Sequence, residues 1–260
     1  MSHPGRVELP EGLSAVSLSE VPGGLALMRR VDRKYVMPTV DAGELVRDLA
    51  DSLVVVEASD VRWQRYRTLY FDTATRHTVI AALNRRRRRC KIRVREYRDA
   101  DLAMLEVKDR TGRRLVEKHR RVVDVDDTRA LQLGAPLPPQ WREFVDTRVS
   151  GRLDAAALVA GMVVDFDRVT LIDAHETVRL TIDAAVECRV AGERSVVLPG
   201  LSVVETKTTG SPSAVDSWLW RRGRRPESFS KYVTGWVALD RSLPPRRYAR
   251  TMRNLVVHGG

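Results

Sequence analysis

Basic side chains recur at every second position in several β-like segments of the sequence. In residues 91–97, Lys91, Arg93 and Arg95 share one parity, and Ile and Val alternate with them. Successive side chains of a strand point to opposite faces, so these three cations lie on one face. Arg binds phosphate oxygens through paired hydrogen bonds, and Lys binds them as a point charge. The pattern therefore favours the binding of a phosphorylated anion.

Isolated acidic residues accompany these cations. Glu106 precedes a lysine by two positions, and so does Glu205. Asp183 shares a parity with Arg179 in residues 178–186. Hard divalent cations prefer oxygen ligands such as carboxylates and phosphates. A face with many bases and few acids thus indicates a site for a phosphate chain with a metal at its edge.

Six segments share an alternation between an apolar face and a charged face. An antiparallel sheet with one face in water is the ordinary explanation for any single segment of this kind. Six of them, accompanied by at least three helical patterns, favour a sheet that curls into a barrel with charges inside and helices outside. The sequence therefore predicts an α+β fold built on a closed antiparallel β-barrel. The six segments are residues 91–97, 102–108, 115–122, 163–171, 178–186 and 203–207.

The composition limits the class of protein. The chain has 260 residues, of which 43% are hydrophobic, and its 45 Lys+Arg against 34 Asp+Glu give a net charge of +11. The hydrophobic fraction excludes a disordered chain, and two cysteines exclude a disulfide scaffold or a Cys-rich zinc module. The excess charge indicates an acidic partner, which leaves nucleic acid, a membrane surface and a phosphorylated molecule open. No apolar run approaches the roughly 18–20 residues of a membrane span, and no signal peptide is evident, so we expect a cytoplasmic protein.

One domain is the expected organisation, because the sequence contains neither an internal repeat nor a long linker. Residues 1–24, with prolines and a GG pair, predict a flexible N-terminal arm. Residues 25–245 form the predicted domain, and residues 246–260 form a C-terminal tail. A helix is predicted over 40–53, and another is predicted to have Pro212 at its first position.

Nine short segments, taken in order, resemble those of one known family. They are RVDRKYVM (30–37), TLYFDT (68–73), KIRVREY (91–97), LEVK (105–108), VEKHR (116–120), DFDRVTL (165–171), VRLTID (178–183), VETK (204–207) and SKY (230–232). The family is the VTC domain, the polyphosphate polymerase domain of the vacuolar transporter chaperone proteins, which is a branch of the CYTH-like triphosphate tunnel metalloenzymes. The resemblance extends over residues 25–240. It implies an eight-stranded antiparallel barrel that forms a tunnel.

The resemblance also implies roles for individual residues on the tunnel wall. Catalytic roles are implied for Lys34, Arg93, Arg95, Arg168, Arg179 and Glu205. Substrate-binding roles are implied for Lys34, Arg93, Arg95, Lys108, Lys118, Arg168, Arg179, Lys207, Ser230 and Lys231. Binding of Mn²⁺ or Mg²⁺ is implied for Glu205, with Asp183 and Glu106 as further candidates. Salt bridges are the alternative role for those last two carboxylates.

Two positions differ from the family pattern. Asp32 stands where related tunnel enzymes carry a glutamate, and its shorter side chain would move or weaken a metal contact. Phe166 stands where the family often has a tyrosine, which removes a hydroxyl. These differences leave a non-catalytic polyphosphate-binding module open as an alternative.

The implied activity is a polyphosphate polymerase that transfers the terminal phosphoryl group of ATP onto a growing polyphosphate chain. Water as the acceptor would make the same tunnel a triphosphatase, so this alternative stays open too. The implied partners are ATP or another triphosphate and inorganic polyphosphate. Family polymerases often act beside membrane proteins, which leaves a separate membrane protein open as a further partner.

The run RRRRR (85–89) is the feature that favours nucleic acid. Polybasic runs bind nucleic acid without sequence preference and in a salt-dependent manner. Because this run leads directly into KIRVR, we interpret it as a surface feature at the tunnel mouth that attracts polyanions. We therefore expect no specific nucleic acid partner.

Overall fold

A computed structural model of the chain describes residues 5–21, 31–112, 116–149, 151–173 and 178–258. Arg30, which opens the RVDRKYVM segment, lies outside the described residues. The same holds for residues 1–4 and 22–24 of the predicted arm.

Strands form most of the described chain. They are β1 (Ala15–Ser17), β2 (Val31–Pro38), β3 (Leu53–Glu57), β4 (Trp63–Thr73), β5 (Arg89–Tyr97), β6 (Leu102–Arg110), β7 (Val116–Val123), β8 (Leu158–Asp173), β9 (Val178–Arg189), β10 (Ser195–Val197), β11 (Leu201–Thr208) and β12 (Val256–His258). The α-helices are α1 (Thr39–Asp48), α2 (His77–Leu83), α3 (Val125–Ala130), α4 (Pro139–Val149), α5 (Ala214–Arg221), α6 (Lys231–Leu239) and α7 (Ala249–Met252). None of the described helices is long and apolar enough to cross a membrane.

Eight strands form one antiparallel ladder, in the order β2-β11-β9-β8-β4-β5-β6-β7. Strands β3 and β10 pair with β8 and β9, and they carry β1 and β12 at their outer edges. This large antiparallel sheet, combined with helices, confirms the α+β class. Within the described residues, no backbone pairing joins β2 to β7, so the hydrogen bonds of the ladder do not close it.

The free edge of β2 is covered by the segment between α5 and α6. The backbone N–H of Glu227 donates to the carbonyl of Lys34 at 2.8 Å, and the N–H of Val36 donates to the Glu227 carboxylate at 3.3 Å. Exposed strand edges invite unwanted pairing, and proteins commonly cover them with a loop. Glu227 also accepts a hydrogen bond from Thr251, which joins this segment to α7.

The face of the sheet that carries the alternating apolar residues packs against helices. Trp141 and Val145 of α4 pack with Ile92 and Leu105, which alternate with the cations of β5 and β6. Helices α1 and α5 pack in the same way against the apolar residues of β2, β9 and β11. These helices lie on the outer side of the sheet, as the alternation predicts.

Helix α6 differs, because it packs against the same face as the charged residues. Its Tyr232 ring stacks on Tyr70 with centroids 4.3 Å apart, and Tyr70 lies directly opposite Arg93 in the β4–β5 pair. The prediction that all helices pack outside is therefore wrong for α6. Apolar residues at this end of the inner face, such as Met162 and Phe166, provide the surface that the helix covers.

Two predicted helices have different ends in the structure. Helix α1 ends at Asp48 rather than at the predicted residue 53, because the chain enters strand β3 there. Helix α5 begins at Ala214 rather than at Pro212, because Ser213 caps it. The Ser213 hydroxyl accepts from the N–H of Asp216, whose carboxylate accepts from the N–H of Ser213. This reciprocal pair is a capping box, which fixes the first turn.

Described parts of the predicted arm and tail pack against the domain. Val7 and Leu13 are buried in the core, and β1 pairs in parallel with β3. At the other end, Tyr248 is buried and β12 pairs with β10. Both segments therefore contribute to the packing of the sheet. The limits of the domain at residues 25 and 245 remain a prediction.

Replacing Gly235 by alanine tests the close approach of α6 to the sheet. A Cβ at this position would lie 2.9 Å from both Cys188 Cβ and Met162 Cε, so one of these elements must shift. We expect a loss of about 1–3 kcal/mol in the free energy of unfolding, measured by urea denaturation. The control is Gly43→Ala in α1, where the nearest atom is 3.6 Å away and helix propensity favours alanine. Equal stability of the two variants would contradict this packing.

Candidate functional site

The strand register places the predicted site residues on one face of the sheet. Directly paired residues of neighbouring strands share a face, and the pairs include Lys34 with Glu205, Lys207 with Arg179, and Lys91 with Lys108. We call this surface the cationic face. Its bases are Lys34, Lys91, Arg93, Arg95, Lys108, Lys118, Arg120, Arg168, Arg179 and Lys207, joined by Lys231 from α6, and its acids are Asp32, Glu106, Asp183 and Glu205.

The two ends of the strand ladder approach each other across this face. Burial, followed by the positive charge of Lys34 on β2, lowers the pKa of Lys108 on β6. Burial and the charges of Lys34 and Lys108 together lower the pKa of Lys91 on β5 well below its usual range. Such effects need short distances, although β2 and β6 lie at opposite ends of the ladder. Lys34 therefore lies near Lys91 and Lys108 across the cationic face.

Glu106 is surrounded by three cations. Its carboxylate lies 2.6 Å from Arg93 Nη2, 2.5 Å from Lys118 Nζ and 3.1 Å from Arg120 Nε, and the residue is almost fully buried. Burial opposes ionisation of Glu106, but Arg93, Arg95 and Lys118 hold its pKa well below the usual range. Burial also lowers the pKa of Lys118 to about 7, although Glu106 partly opposes this shift.

Asp183 has a similar environment at the other side of the face. Arg168 donates to both of its oxygens, at 2.5 and 2.8 Å, and Lys231 Nζ contacts the same carboxylate. Burial alone would raise the pKa of Asp183, but Arg168 and Lys231 lower it well below the usual range. The pKa of Lys231 falls to about 8, chiefly through burial.

Glu205 is held more loosely than the other two carboxylates. Its oxygens lie 3.9 Å from Lys34 Nζ and 3.2 Å from Lys207 Nζ. Burial opposes its ionisation, but the charges of Lys34 and Lys207 lower its pKa. Burial in turn lowers the pKa of Lys207 to about 8.

These environments distinguish the three predicted metal ligands. Glu106 and Asp183 use their oxygens in short ion pairs with Arg and Lys, which is the alternative role that the sequence leaves open for them. Glu205 fits better, because its contacts are longer. Among the described residues, no three His, Cys, Asp or Glu side chains form a group that could hold a metal ion. A divalent ion at Glu205 would thus take its other ligands from phosphate and water, as Mg²⁺ commonly does.

The N-terminus of α6 reaches the cationic face. Ser230 caps the helix by accepting from the N–H of Val233 at 3.4 Å, and its hydroxyl also accepts from Lys91 Nζ at 2.8 Å. The position of this terminus depends on Tyr232, whose hydroxyl donates to the buried Asp72 at 2.7 Å. Asp72 therefore positions Ser230 and Lys231 through Tyr232, without a hydrogen bond to either of them.

Aromatic rings support several of the cations. Arg95 and Arg168 lie 5.5 and 5.4 Å from the Tyr66 ring centroid, and Lys231 Nζ lies 4.2 Å from that of Phe166. The Phe166 ring stacks on Tyr66. Phe166 lacks the hydroxyl of a tyrosine, but its aromatic ring still attracts cations. Asp32, the other difference from the family pattern, lies directly opposite Lys207.

Some cations of this face have no carboxylate partner. Lys91, Arg95 and Lys108 form no salt bridge within the described residues, and Arg95 donates only a long hydrogen bond to Thr68, at 3.4 Å. Lys91 and Arg120 were not among the predicted site residues. The alternation along the strands could have predicted both, since Lys91 shares the parity of Arg93, and Arg120 shares that of Lys118.

The lysines crowded on the cationic face predict how stability depends on pH. The pKa is about 7 for Lys118 and about 8 for Lys207 and Lys231, against about 10.4 for a lysine in an unfolded chain. Between pH 7 and about 8.5 the unfolded chain therefore binds more protons, and stability rises with pH wherever that holds. We expect Tm in the absence of ligand to increase over this range, and the increase to be smaller for Lys118→Met. A constant or falling Tm would contradict the lowered pKa values of these lysines.

Comparison with known proteins agrees with the resemblance of the nine segments. A search of curated protein sequences gave no significant match. Similar solved structures include a candidate adenylyl cyclase from Hippeastrum described as having a dominant triphosphatase activity (18% identity, TM-score 0.48, covering 79% of this chain and 94% of that one). Another is a candidate adenylate cyclase from Bacillus halodurans (13% identity, TM-score 0.46, covering 74% and 86%). The family model of the VTC domain matches residues 29–239, and the chain therefore belongs to the VTC domain family.

Proposed function

We propose that this protein is a polyphosphate polymerase-like phosphotransferase. It would transfer the terminal phosphoryl group of ATP onto a growing polyphosphate chain, inside a closed eight-stranded tunnel lined by the cationic face. The observation that carries this proposal is the excess of enclosed Arg and Lys over carboxylates, arranged around one loosely held glutamate, Glu205. Membership of the VTC domain family supports it.

The cations without carboxylate partners are the proposed centre of phosphate binding. Lys91 and Lys108 are directly opposite each other on β5 and β6, with Arg95 further along β5. A phosphate chain beside them replaces the water lost on burial with negatively charged oxygens, which relieves their mutual repulsion. The arginines proposed to bind phosphate through paired hydrogen bonds are Arg93, Arg95, Arg168 and Arg179.

Phosphoryl transfer passes through a loose transition state, so positioning and charge neutralisation contribute more than a covalent nucleophile. Arg93 and Arg168 are already oriented by Glu106 and Asp183, and they need little rearrangement to meet the substrate. Lys34 and Lys207 flank Glu205, where the reacting phosphoryl group is proposed to lie. Lys118, Ser230 and Lys231 would contact the remainder of the chain.

Mn²⁺ or Mg²⁺ is the proposed cofactor, held by Glu205 with phosphate oxygens as further ligands. When bound, such an ion withdraws charge from the phosphoryl group and orients its oxygens. The proposed partners are ATP, inorganic polyphosphate and a separate membrane protein that receives the product. We also propose a cytoplasmic location, because the substrate is ATP.

Incubation with ATP and Mn²⁺, followed by measurement of phosphate chain length, tests this function. We expect chains longer than triphosphate from the wild type and a loss of about 100-fold in their rate of synthesis for Glu205→Gln. Triphosphate should bind this variant at least as tightly as the wild type, because the substitution removes a negative charge. Glu117→Gln on the outer face of β7 is the matched control and should retain activity.

Other outcomes of the same assay would contradict the polymerase. Release of free phosphate alone, without longer chains, would assign the tunnel to a triphosphatase. Binding of triphosphate without any turnover would assign it to a polyphosphate-binding module. Lys34→Ala provides a second test, since it removes a cation beside Glu205 and should weaken both binding and synthesis.

A further inference from the structure

A pair of arginines extends the cationic face beyond its lysines. Arg89 and Arg110 are directly opposite each other at the ends of β5 and β6, in the same parity as Lys91 and Lys108. Like charges directly opposite each other on a sheet are unfavourable for stability. An anion that contacts both guanidinium groups would relieve this repulsion.

The segment after α6 brings another arginine to this place. Arg247 Nη2 donates to the carbonyl of Ala82 at 2.9 Å, and the backbone N–H of Arg85 donates to the same carbonyl at 3.1 Å. We call Arg85, Arg89, Arg110 and Arg247 the arginine cluster. Burial, followed by the charges of Arg110, Arg247 and Arg85, lowers the pKa of Arg89, in agreement with this grouping.

Three arginines of the cluster, Arg85, Arg89 and Arg247, lack a carboxylate partner within the described residues. Arg247 Nε is buried and has no hydrogen-bond partner within the described chain. Arg85, Arg89 and Arg247 form no salt bridge with a described carboxylate, and Arg89 instead donates to the carbonyl of Arg86 at 2.6 Å. A buried guanidinium nitrogen without a partner is costly unless an acceptor reaches it.

The position of the cluster indicates which anion reaches it. Arg89 is half-buried, while residues 85–88 are exposed, so the cluster connects the cationic face with the surface. An anion that spans both must be a chain. Single-stranded nucleic acid would stack its bases on exposed aromatic rings. The exposed large hydrophobic residues of the described chain are instead valines and one leucine, which favours a chain of phosphates.

We propose that the arginine cluster is a subsite for the part of a polyphosphate chain that extends beyond the cationic face. It gives the protein a higher affinity for long chains than for triphosphate. The inference rests on the proposed function, because it assumes that phosphate occupies the cationic face. Arg247 lies beyond the residues that match the VTC domain, so the subsite uses a residue outside the family pattern.

Isothermal titration calorimetry with two ligands, sodium triphosphate and long-chain polyphosphate, tests the subsite. The variants are Arg89→Ser and Arg247→Gln, of which the second keeps a donor for the carbonyl of Ala82. We expect each to raise the Kd for long-chain polyphosphate about fivefold, the effect of losing one partly exposed ion pair. The Kd for triphosphate should stay unchanged, which also shows that the variants fold. Arg121→Ser, on the outer face of β7, is the matched control and should affect neither ligand.

Three outcomes would overturn the subsite. Equal losses for both ligands would place the arginines within the triphosphate site, and no loss for either would leave them without a role in binding. Single-stranded DNA that binds as tightly as polyphosphate, with the same dependence on Arg89 and Arg247, would assign the cluster to nucleic acid. If the wild type binds no triphosphate at all, the proposed function fails instead.

Discussion

Burying like charges close together is the constraint on which this structure depends. Several lysines of the cationic face lose part of their water and are repelled by neighbouring cations, so pKa values fall to about 7 for Lys118 and about 8 for Lys207. Two carboxylates offset part of this repulsion: Glu106 forms ion pairs with three cations, and Asp183 forms ion pairs with two. Removing one partner from such a pair would leave an uncompensated buried charge. The remaining positive charge is what the proposed polyanion would balance, so stability and the proposed function depend on the same residues.

The rest of the fold keeps these charges in place. Apolar residues alternate with the cations and pack against α1, α4 and α5 on the outer side, so each strand is fixed in register. On the inner side, α6 packs closely at Gly235, and the hydrogen bond between Tyr232 and Asp72 orients its N-terminus. Buried Asp216 accepts hydrogen bonds from Tyr35 of β2 and Thr206 of β11, which fixes the strands that carry Lys34 and Glu205. Side chains held in this way need little reorganisation to meet a ligand.

Much of the site could be predicted because strand parity decides which side chains share a face. The cations of β5, for example, share their face whatever the neighbouring strands are, and the nine segments indicated the family. Ion-pair partners could not be predicted in this way. Whether Glu106 meets a metal or Arg93 depends on the register between β5 and β6 and on side-chain distances. The same limit applies to α6, whose inner position depends on Gly235, and to Arg247, which reaches the carbonyl of Ala82 from a segment predicted as a tail.

We propose that the cations of the cationic face act together on one phosphate chain. Titration of the protein with sodium triphosphate at pH 8, in two buffers of different ionisation enthalpy, measures stoichiometry and proton transfer together. We predict one triphosphate per protein and a net uptake of protons, because the bound anion raises the pKa of Lys118, Lys207 and Lys231 above the pH. Absence of saturable binding, or binding without proton uptake, would contradict this account.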